Sequence, residues 1–563
     1  MKKISTKEWR WAAIFSAAVM ALTCVPYLVG AARSGDDGRF SGFVIGVEDG
    51  NSYLAKMQLG AHGQWLFQLP YAIEDHPKSL VYSFYILLGK LAGWVVGTAD
   101  PLRLHDALVL AFHAARVAFG FGLLLTSYAF VAELLPRARQ RRLALMLVAL
   151  GGGLGWLVLA LQLPGVPLEW YSPEAFTFLD LYSLPHLAAA RMAMLGGLLF
   201  YMRAVRATRA GGAVWRWLIA AAGAWALLTF IQPFYMIIVY VILAMHIAIL
   251  GVFAFRETEG ALTRGLDMGA TAVRALWVAA LAGLAGAPMV LYTFLLMTAD
   301  PVYQTWGAQN VILSPAPWYY ALAWGLLAVP AVFGLRSLYR RNVLAWALVA
   351  GWLAAVPVLL YVPYNLQRRF AEGAQVPLVA LAVLGLTAGL PTVKRLRLVG
   401  RRGWRYASLG LVALSLPATM LLWVGGIVGA SQPAHPMFQN SDQVATYVFL
   451  ARSVPPRSVV LSSSYEFGNA APAYGYVVAF AGHGPETPHL DTKLEMVAQF
   501  CDAKVDAGSR RDNYMLIGAP YVVFVPFERL LCAFDPADPK QADYLQRIFQ
   551  SGDYSVWSLK TGP

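Results

Sequence analysis

Cysteine and charge are both scarce in this chain of 563 residues. Its three cysteines, Cys24, Cys501 and Cys532, are too few for a cysteine-built zinc site or a framework of disulfides. Cys501 and Cys532 could pair in an extracytoplasmic domain, and their spacing leaves that open. Charged residues are 13% of the chain and hydrophobic residues 58%, which excludes a soluble globular protein.

Long uncharged runs fill most of the sequence, and several exceed the ~20 residues needed to cross a bilayer. The net charge of +13 might indicate a nucleic-acid partner. However, 24 of the 44 lysines and arginines fall in six short patches between apolar runs: residues 2–10, 137–142, 203–216, 256–274, 336–341 and 394–405. Such patches mark the cytoplasmic ends of spans, so the charge reports topology and no nucleic acid is expected.

These patterns predict a polytopic α-helical membrane protein of about eleven spans with a cytoplasmic N-terminus. The spans are residues 11–32, 105–132, 143–163, 186–202, 217–231, 234–255, 275–297, 318–335, 343–361, 375–390 and 406–428. The first is long enough to stay as an anchor instead of a cleaved signal peptide. A full crossing at residues 80–96 would invert everything downstream, so this segment is predicted as a juxtamembrane helix along the outer surface.

The composition changes after residue 431, which divides the chain into a membrane module, 1–431, and a soluble extracytoplasmic α/β domain, 432–563. Helix-like stretches at residues 442–452 and 487–500 alternate there with short β-type runs at 458–461, 476–480, 521–525 and 554–558. Polar loops at 465–469 and 482–487 lie at predicted strand ends. They are either turns or part of an acceptor-binding site.

The polar segment 33–79, between the first two apolar runs, concentrates acidic and histidine side chains. They are Asp36, Asp37, Glu48, Asp49, Glu74, Asp75, His62 and His76. Carboxylates packed this densely beside a membrane are costly unless they face water or a cavity. The segment is therefore predicted to be an outward-facing functional loop.

The order of residues in this loop is specific. Asp49 is followed by Tyr53-Leu54-Ala55-Lys56, then Gly63-Gln64-Trp65-Leu66, then Asp75-His76-Pro77. This order resembles the first outer loop of GT-C class glycosyltransferases, above all the protein O-mannosyltransferase and lipid A aminoarabinose transferase families. The resemblance implies transfer of a sugar from a polyprenyl-phosphate donor at the outer membrane face, with Asp49 as catalytic base and Glu48 as second choice. It also implies a juxtamembrane helix after the loop.

That chemistry suits the residue types. A carboxylate takes the proton of an acceptor hydroxyl as it attacks the anomeric carbon, while positive groups stabilise the departing phosphate. His76, where the resembling families commonly have lysine, and Lys78 are the local phosphate candidates. Tyr53 and Glu74 are candidates for the substrate pocket. A plain turn over residues 74–78, and solvated charges at Glu48 and Asp49, are the alternatives.

A second group of candidates lies in later outer loops. Arg368 and Arg369, with Gln367, form the only basic pair in a predicted outer loop after the first, and an arginine fork suits a phosphate. Lipid headgroups or a salt bridge to Glu372 would also explain the pair. The resemblance implies a second functional acid, for which we choose Asp180. His186 is either part of the pocket or a helix cap, and a membrane-buried Arg191 would need an anionic partner.

The chemistry requires no cofactor, although Mg²⁺ or Mn²⁺ could bind Asp49, Asp180 and a histidine. The acceptor class (protein, lipid or glycan) stays open. Two alternatives to an enzyme are a multi-span transporter or flippase and a non-catalytic anchor presenting the α/β domain. The few charges within the spans favour the enzyme. The expected location is the bacterial cytoplasmic (inner) membrane.

Overall fold

The computed structural model describes residues 4–35, 38–257, 267–393, 403–502, 504–526, 532 and 534–560. Asp36 and Asp37, and parts of the basic patches 2–10, 256–274 and 394–405, lie outside these residues.

Helices make up most of the described chain. In chain order they are α1 Thr6–Ala32, α2 Val47–Ala61, α3 Ser83–Val96, α4 Pro101–Leu134, α5 Ala138–Leu150, α6 Trp156–Ala160, α7 Thr177–Ser183, α8 Pro185–Ala210, α9 Val214–Ile231, α10 Phe234–Glu257, α11 Met268–Gly283, α12 Ala287–Ala299, α13 Pro301–Gln309, α14 Pro317–Tyr339, α15 Val343–Leu359, α16 Gln375–Val393, α17 Gly403–Ser431, α18 Ser441–Ser453, α19 Tyr465–Tyr474, α20 Leu490–Cys501, α21 Ala507–Ile517 and α22 Pro539–Ala542. Two 3-10 turns, Leu168–Trp170 and Gln367–Ala371, precede α7 and α16.

Eight segments of the described chain are long and apolar enough to cross a membrane. They are α1, α4, α9, most of α8 and α10, α14, the region Gln367–Leu386 and most of α17. A ninth crossing is possible if α11 and α12, which meet at a 58° bend, count as one. The chain is therefore an integral membrane protein. As expected, a short turn at Gln232 and Pro233 separates α9 from α10.

Three of the eleven expected spans differ in the structure, and one of them, residues 275–297, is broken by the 58° bend between α11 and α12. Residues 143–163 do not form one helix, because α5 ends at three consecutive glycines and the short α6 follows. The N–H groups of Gly153 and Gly155 donate to Glu169 Oε1 at 2.8 and 3.0 Å. Glycine is unfavourable inside a helix. Here the Glu169 side chain bonds backbone N–H groups that have no partner in a helix. The expected span 343–361 corresponds to α15, an apolar helix of only 17 residues.

Residues 83–96 form a helix, α3, in the predicted juxtamembrane segment. Helices α2 and α3 approach so closely that glycine is required at both surfaces. A Cβ atom at Gly60 would lie 2.0 Å from the carbonyl oxygen of Ile86, and one at Gly89 would lie 1.9 Å from that of Met57. This packing fixes α2 against α3, whereas the position of α3 along a membrane surface stays a prediction.

The chain folds into two compact units. Unit 1 consists of Met1–Cys24, Ala115–Thr293 and Val311–Gly425. Unit 2 consists of Val25–Ala114, Phe294–Asn310 and Gly426–Pro563. The polar segment 33–79 and the C-terminal α/β region thus share unit 2. The boundary between residues 431 and 432 stays a prediction.

The α/β region of unit 2 contains a five-stranded sheet. Its strands are β3 Val459–Ser462, β4 Val478–Ala479, β5 Tyr521–Phe524, β6 Leu545–Ser551 and β7 Tyr554–Leu559, which follow β1 Arg39–Phe40 and β2 Phe438–Gln439. The order is β4-β3-β5-β7-β6, with β3 parallel to both neighbours and β7 antiparallel to both of its own. In the separate two-stranded sheet, β1 pairs antiparallel with β2.

The four expected strands and two expected helices of this region are all present. The sequence missed β6, whose residues 546–548 are exposed and which lacks the regular alternation of a half-buried strand. It also missed α19 and α21. The core beneath the sheet is largely aromatic, with Phe500, Tyr514, Phe524, Phe534 and Trp557 buried. Cys501 and Cys532 form a disulfide beside this core, which answers the question that their spacing left open.

The glycine contact between α2 and α3 yields the first prediction. Gly89→Ala should lower the melting temperature of the protein in detergent, because overpacking at a rigid backbone costs about 1–3 kcal/mol. Gly223→Ala is the control, since its Cβ would meet nothing within 4 Å on α9. It should leave the melting temperature unchanged or raise it, since alanine restricts the unfolded chain. Equal shifts for both variants would contradict the close approach of α2 and α3.

Candidate active site

The N-terminal turn of α2 carries the two carboxylates expected to do the chemistry. The chain enters the helix through Gly46, whose φ of 61° is a left-handed conformation that glycine adopts easily. Glu48 and Asp49 lie in the first turn and are both exposed, with 60% of the Asp49 side chain accessible. This turn lies at the positive end of the helix dipole. Asp49 can therefore be reached by a substrate.

Loop 482–487 of the α/β region contacts both carboxylates. His483 Nε2 lies 3.3 Å from Asp49 Oδ1. Glu48 Oε1 accepts hydrogen bonds from the backbone N–H of Gly484, at 3.3 Å, and from the hydroxyl of Tyr465. Both polar segments noted in the sequence thus meet the expected catalytic turn within unit 2, although residues 465–469, predicted as a loop, form the first part of helix α19.

A buried ion pair lies two turns along α2 from Asp49. Lys56 Nζ is 2.7 Å from Glu486 Oε1, and the lysine and glutamate side chains are 0% and 4% exposed. Ser52 Oγ donates to Glu486 Oε2 at 3.1 Å. The Lys56 ammonium also lies 4.2 Å from the centre of the Tyr82 ring. Sequence reasoning missed both ionic partners, although spacings of three and seven residues put Ser52 and Lys56 on the same helix face as Asp49.

Neighbouring charges shift the pKa values of this group. Burial acts to lower the pKa of His483, but the charge of Glu486 and the hydrogen bond with Asp49 outweigh it and raise this pKa above its usual value. Burial acts to raise the pKa of Glu486, yet Lys56 and His483 hold it below its usual value. Burial lowers the pKa of Lys56 against the opposing effect of Glu486. Each shift stabilises the charged form of its group relative to the same side chain in water.

The other candidates of the first loop have structural partners. His76 Nε2 accepts the backbone N–H of Leu69 at 3.0 Å, and its Nδ1 lies 2.7 Å from the carbonyl oxygen of Glu74. A ring that accepts at one nitrogen and donates at the other is neutral. A phosphate contact from His76 would therefore require these bonds to break, and its role there stays a prediction.

The three remaining candidates of this loop are Glu74, Tyr53 and Lys78. The Glu74 carboxylate pairs with Lys493 at 2.8 Å. The ring of Tyr53 stacks on that of Tyr85, with centroids 4.5 Å apart. Lys78 is exposed. The roles of Glu74 and Tyr53 in a substrate pocket and of Lys78 on a phosphate stay predictions.

In unit 1 a buried arginine joins two carboxylates. Arg191 Nη1 lies 2.8 Å from Asp180 Oδ2, and Arg191 Nη2 donates to Glu372 Oε2 at 3.0 Å. All three side chains are fully buried. The expected need of Arg191 for an anionic partner is thus met. Because Asp180 is buried and already paired, the structure favours a structural role for it, and its role as a second functional acid stays a prediction.

The basic pair lies in the 3-10 turn Gln367–Ala371 of unit 1. Arg368 Nε lies 3.6 Å from Glu174 Oε2, and its guanidinium lies 5.2 Å from the centre of the Tyr171 ring. The Nε atoms of Arg368 and Arg369 are buried without a hydrogen-bond partner in the described parts of the chain. A buried donor without a hydrogen bond is costly, so the Nε–H of Arg369 is suited to an anionic ligand, whereas that of Arg368 already faces the Glu174 carboxylate.

His186 is the second residue of α8 and is buried. Its role as a pocket residue stays a prediction. Over the residues described above, no group of three or more histidine, cysteine or acidic side chains is placed to hold a metal ion. The arrangement of these residues therefore gives no support to a preformed Mg²⁺ or Mn²⁺ site there.

The ion pair of Lys56 and Glu486 yields the second prediction. Glu486→Gln should lower the melting temperature strongly, because removing one partner of a buried pair costs about 3–5 kcal/mol. Asp100→Asn is the control. Asp100 also pairs with a basic side chain, Arg452, but both side chains are more than half exposed, so the loss of this pair should cost no more than about 1 kcal/mol. Thermal unfolding in detergent measures the melting temperature of both variants. Equal decreases would contradict the burial of the Lys56–Glu486 pair.

No family model matches this sequence, and no protein of curated function matches it either. Several solved structures, however, are similar to this chain. The oligosaccharyltransferase of Archaeoglobus fulgidus in its apo form superposes with a TM-score of 0.55 at 12% identity, over 96% of this chain and 73% of the other. The same organism's AglB, in complex with an inhibitory peptide and a dolichol-phosphate, gives a TM-score of 0.51 at 13% identity, over 97% and 75%.

A third structure, ArnT from Cupriavidus metallidurans bound to undecaprenyl phosphate, is 12% identical over 97% of this chain and 98% of the other, with a TM-score of 0.49. The first two structures carry the conclusion. The chain has the fold of archaeal oligosaccharyltransferase, which is the GT-C type of membrane fold that the resemblance of its first loop predicts.

Proposed function

We propose that this protein is a membrane glycosyltransferase that moves a sugar from a polyprenyl-phosphate donor to an acceptor, with Asp49 as the catalytic base. One observation carries the proposal most directly. An exposed carboxylate lies in the first turn of α2 with a buried imidazole against it, in a chain that has a GT-C fold. The AglB structure, which shares this fold, contains a dolichol-phosphate.

The proposed reaction is a displacement at the anomeric carbon. The acceptor oxygen forms a bond to that carbon while its proton passes to the Asp49 carboxylate. The bond between the anomeric carbon and the phosphate oxygen breaks, and the electron pair leaves with the polyprenyl phosphate. Asp49 is chosen over Glu48 on the resemblance of the first loop, since both carboxylates interact with the α/β region.

The donor phosphate is assigned to Arg368 and Arg369, with Gln367 beside them and Lys78 as a further candidate. The buried Nε–H of Arg369, which has no hydrogen-bond partner in the described residues, supports this assignment, since a guanidinium binds phosphate oxygens through two parallel hydrogen bonds. Positive charge there would stabilise the phosphate as it departs. The proposal needs no cofactor, because phosphate is already a good leaving group.

The proposed setting is the outer face of a bacterial cytoplasmic membrane, with the C-terminal α/β region outside. The apolar helices and the six basic patches support it. Three acceptor classes remain possible: protein, lipid and glycan.

The assignment of the base yields the third prediction. Asp49→Asn should slow transfer by about 10²–10⁴-fold, because general base catalysis contributes that much. The purified protein would be reconstituted with membrane extract as acceptor and assayed against a panel of radiolabelled polyprenyl-phosphate sugars. Asp75→Asn is the control, since Asp75 is an exposed carboxylate of the same loop and its loss should change nothing. If Asp49→Asn transfers sugar at the unaltered rate, Asp49 is not the base.

The phosphate assignment yields the fourth prediction. Arg368→Gln and Arg369→Gln should each raise the KM for the donor about tenfold or more, since a hydrogen bond to a charged group is worth about 1.5–3 kcal/mol. Arg341→Gln, which removes an exposed arginine elsewhere, should leave the KM unchanged. An unaltered donor KM in both loop variants would show that the phosphate binds elsewhere.

A further inference from the structure

We propose that His483 is a positioning residue for Asp49, so that loop 482–487 of the C-terminal α/β region completes the transferase site. This inference rests on the proposed function, because it assumes that Asp49 is the base. From the sequence, loop 482–487 is expected to be either a turn or part of an acceptor-binding site. The geometry gives it a different role, the orientation of the catalytic carboxylate.

The contrast in exposure supports this role. The side chain of His483 is 8% exposed and that of Asp49 is 60% exposed, yet Nε2 and Oδ1 lie 3.3 Å apart. The buried ring can therefore donate to one side of the carboxylate while the carboxylate remains accessible. A base held in this way takes the proton in one orientation and loses less entropy on reaction.

The ring environment determines which nitrogen carries the proton. His483 Nδ1 is buried and has no hydrogen-bond partner in the described residues, whereas Nε2 faces Asp49. The neutral tautomer protonated on Nε2 is favoured, because its N–H then has an acceptor. The protonated ring carries the same Nε2–H. The bond to Asp49 is thus available in both charge states of His483.

The loop itself is held in place around the ring. The rings of His483 and Tyr71 stack with centroids 5.6 Å apart, and the Tyr71 hydroxyl donates to the carbonyl of Asn469 at 2.9 Å. The backbone N–H groups of Gly482 and His483 both donate to Thr487 Oγ1, at 3.3 and 3.2 Å. These contacts restrict both the ring and the backbone that carries it.

Two further ties fix the loop to the rest of unit 2. Glu486 forms the buried pair with Lys56 of α2. From α13, Gln309 Nε2 donates to the carbonyl of Thr487 at 2.8 Å, and Gln309 Oε1 accepts the backbone N–H of His489 at 2.8 Å. A functional group is positioned best when its supporting residues are themselves fixed. The loop is therefore built as a rigid support and not as a mobile flap.

The test compares His483→Phe with His483→Gln in the transfer assay. Phenylalanine keeps a ring against Tyr71 but has no donor, so kcat should fall about tenfold to hundredfold with the donor KM unchanged. Glutamine keeps an N–H at a similar reach and should retain most of the rate. His489→Asn is the control, because its side chain is exposed and asparagine tolerates the left-handed backbone there.

The outcomes separate this inference from the proposed function. If His483→Phe keeps the wild-type kcat while Asp49→Asn is inactive, His483 has no positioning role, and the assignment of Asp49 as base is unaffected. An active Asp49→Asn refutes the base itself, whatever His483→Phe does. The double variant of Asp49→Asn and His483→Phe should be no slower than Asp49→Asn alone, since both changes act through one carboxylate.

A second pair of variants covers the case in which His483→Phe fails to fold. His483→Gln and His483→Asn both carry an amide, but the asparagine side chain is one methylene shorter and cannot reach Asp49. Glutamine should preserve kcat and asparagine should reduce it, with similar elution on size-exclusion chromatography. Equal kcat values for the two variants overturn the proposal, because the reach of the donor would then make no difference.

Discussion

The buried pair of Lys56 and Glu486 is the constraint on which the site in unit 2 depends. Removing two charges from water is costly, and their attraction offsets this only when both are present with good geometry. The pair therefore joins α2 to loop 482–487, although the two partners lie 430 positions apart. Once that register is fixed, Ser52 bonds Glu486, Gly484 bonds Glu48 and His483 faces Asp49.

In unit 1, too, buried ionic contacts join separate segments of the chain. Arg191 of α8 binds Asp180 and Glu372 and also donates to the carbonyls of Pro173 and Glu174, at 2.7 and 3.2 Å. One guanidinium thereby satisfies carboxylates and backbone groups from three stretches of chain. Glu372 follows directly on the turn that carries Arg368 and Arg369, so the Arg191 network also fixes the proposed phosphate ligands.

Burial distinguishes the two aspartates that the sequence analysis chose as functional acids. Asp49 and Asp180 are both aspartates in predicted outer loops, yet 60% of the first side chain is exposed and the second is fully buried against Arg191. An accessible carboxylate can take a proton from an acceptor, whereas a buried and paired one is already committed to the fold. A similar distinction separates His76, which bonds its own loop, from His483, which bonds a carboxylate.

The sequence by itself determined the membrane class, most of the spans and the α/β composition of the C-terminal region, and it singled out Asp49 as the candidate base. These features depend on local composition, on periodicity and on a short ordered motif, all of which can be read within a few tens of residues. Only the tertiary structure decided the partners of Asp49, Lys56 and Arg191, the pairing of Cys501 with Cys532, and the glycine break that ends α5. These features depend on contacts between separate stretches of chain, 31 positions apart for the two cysteines and 430 for Lys56 and Glu486, or on a side chain such as Glu169 that replaces helical hydrogen bonds, and no local pattern specifies such contacts.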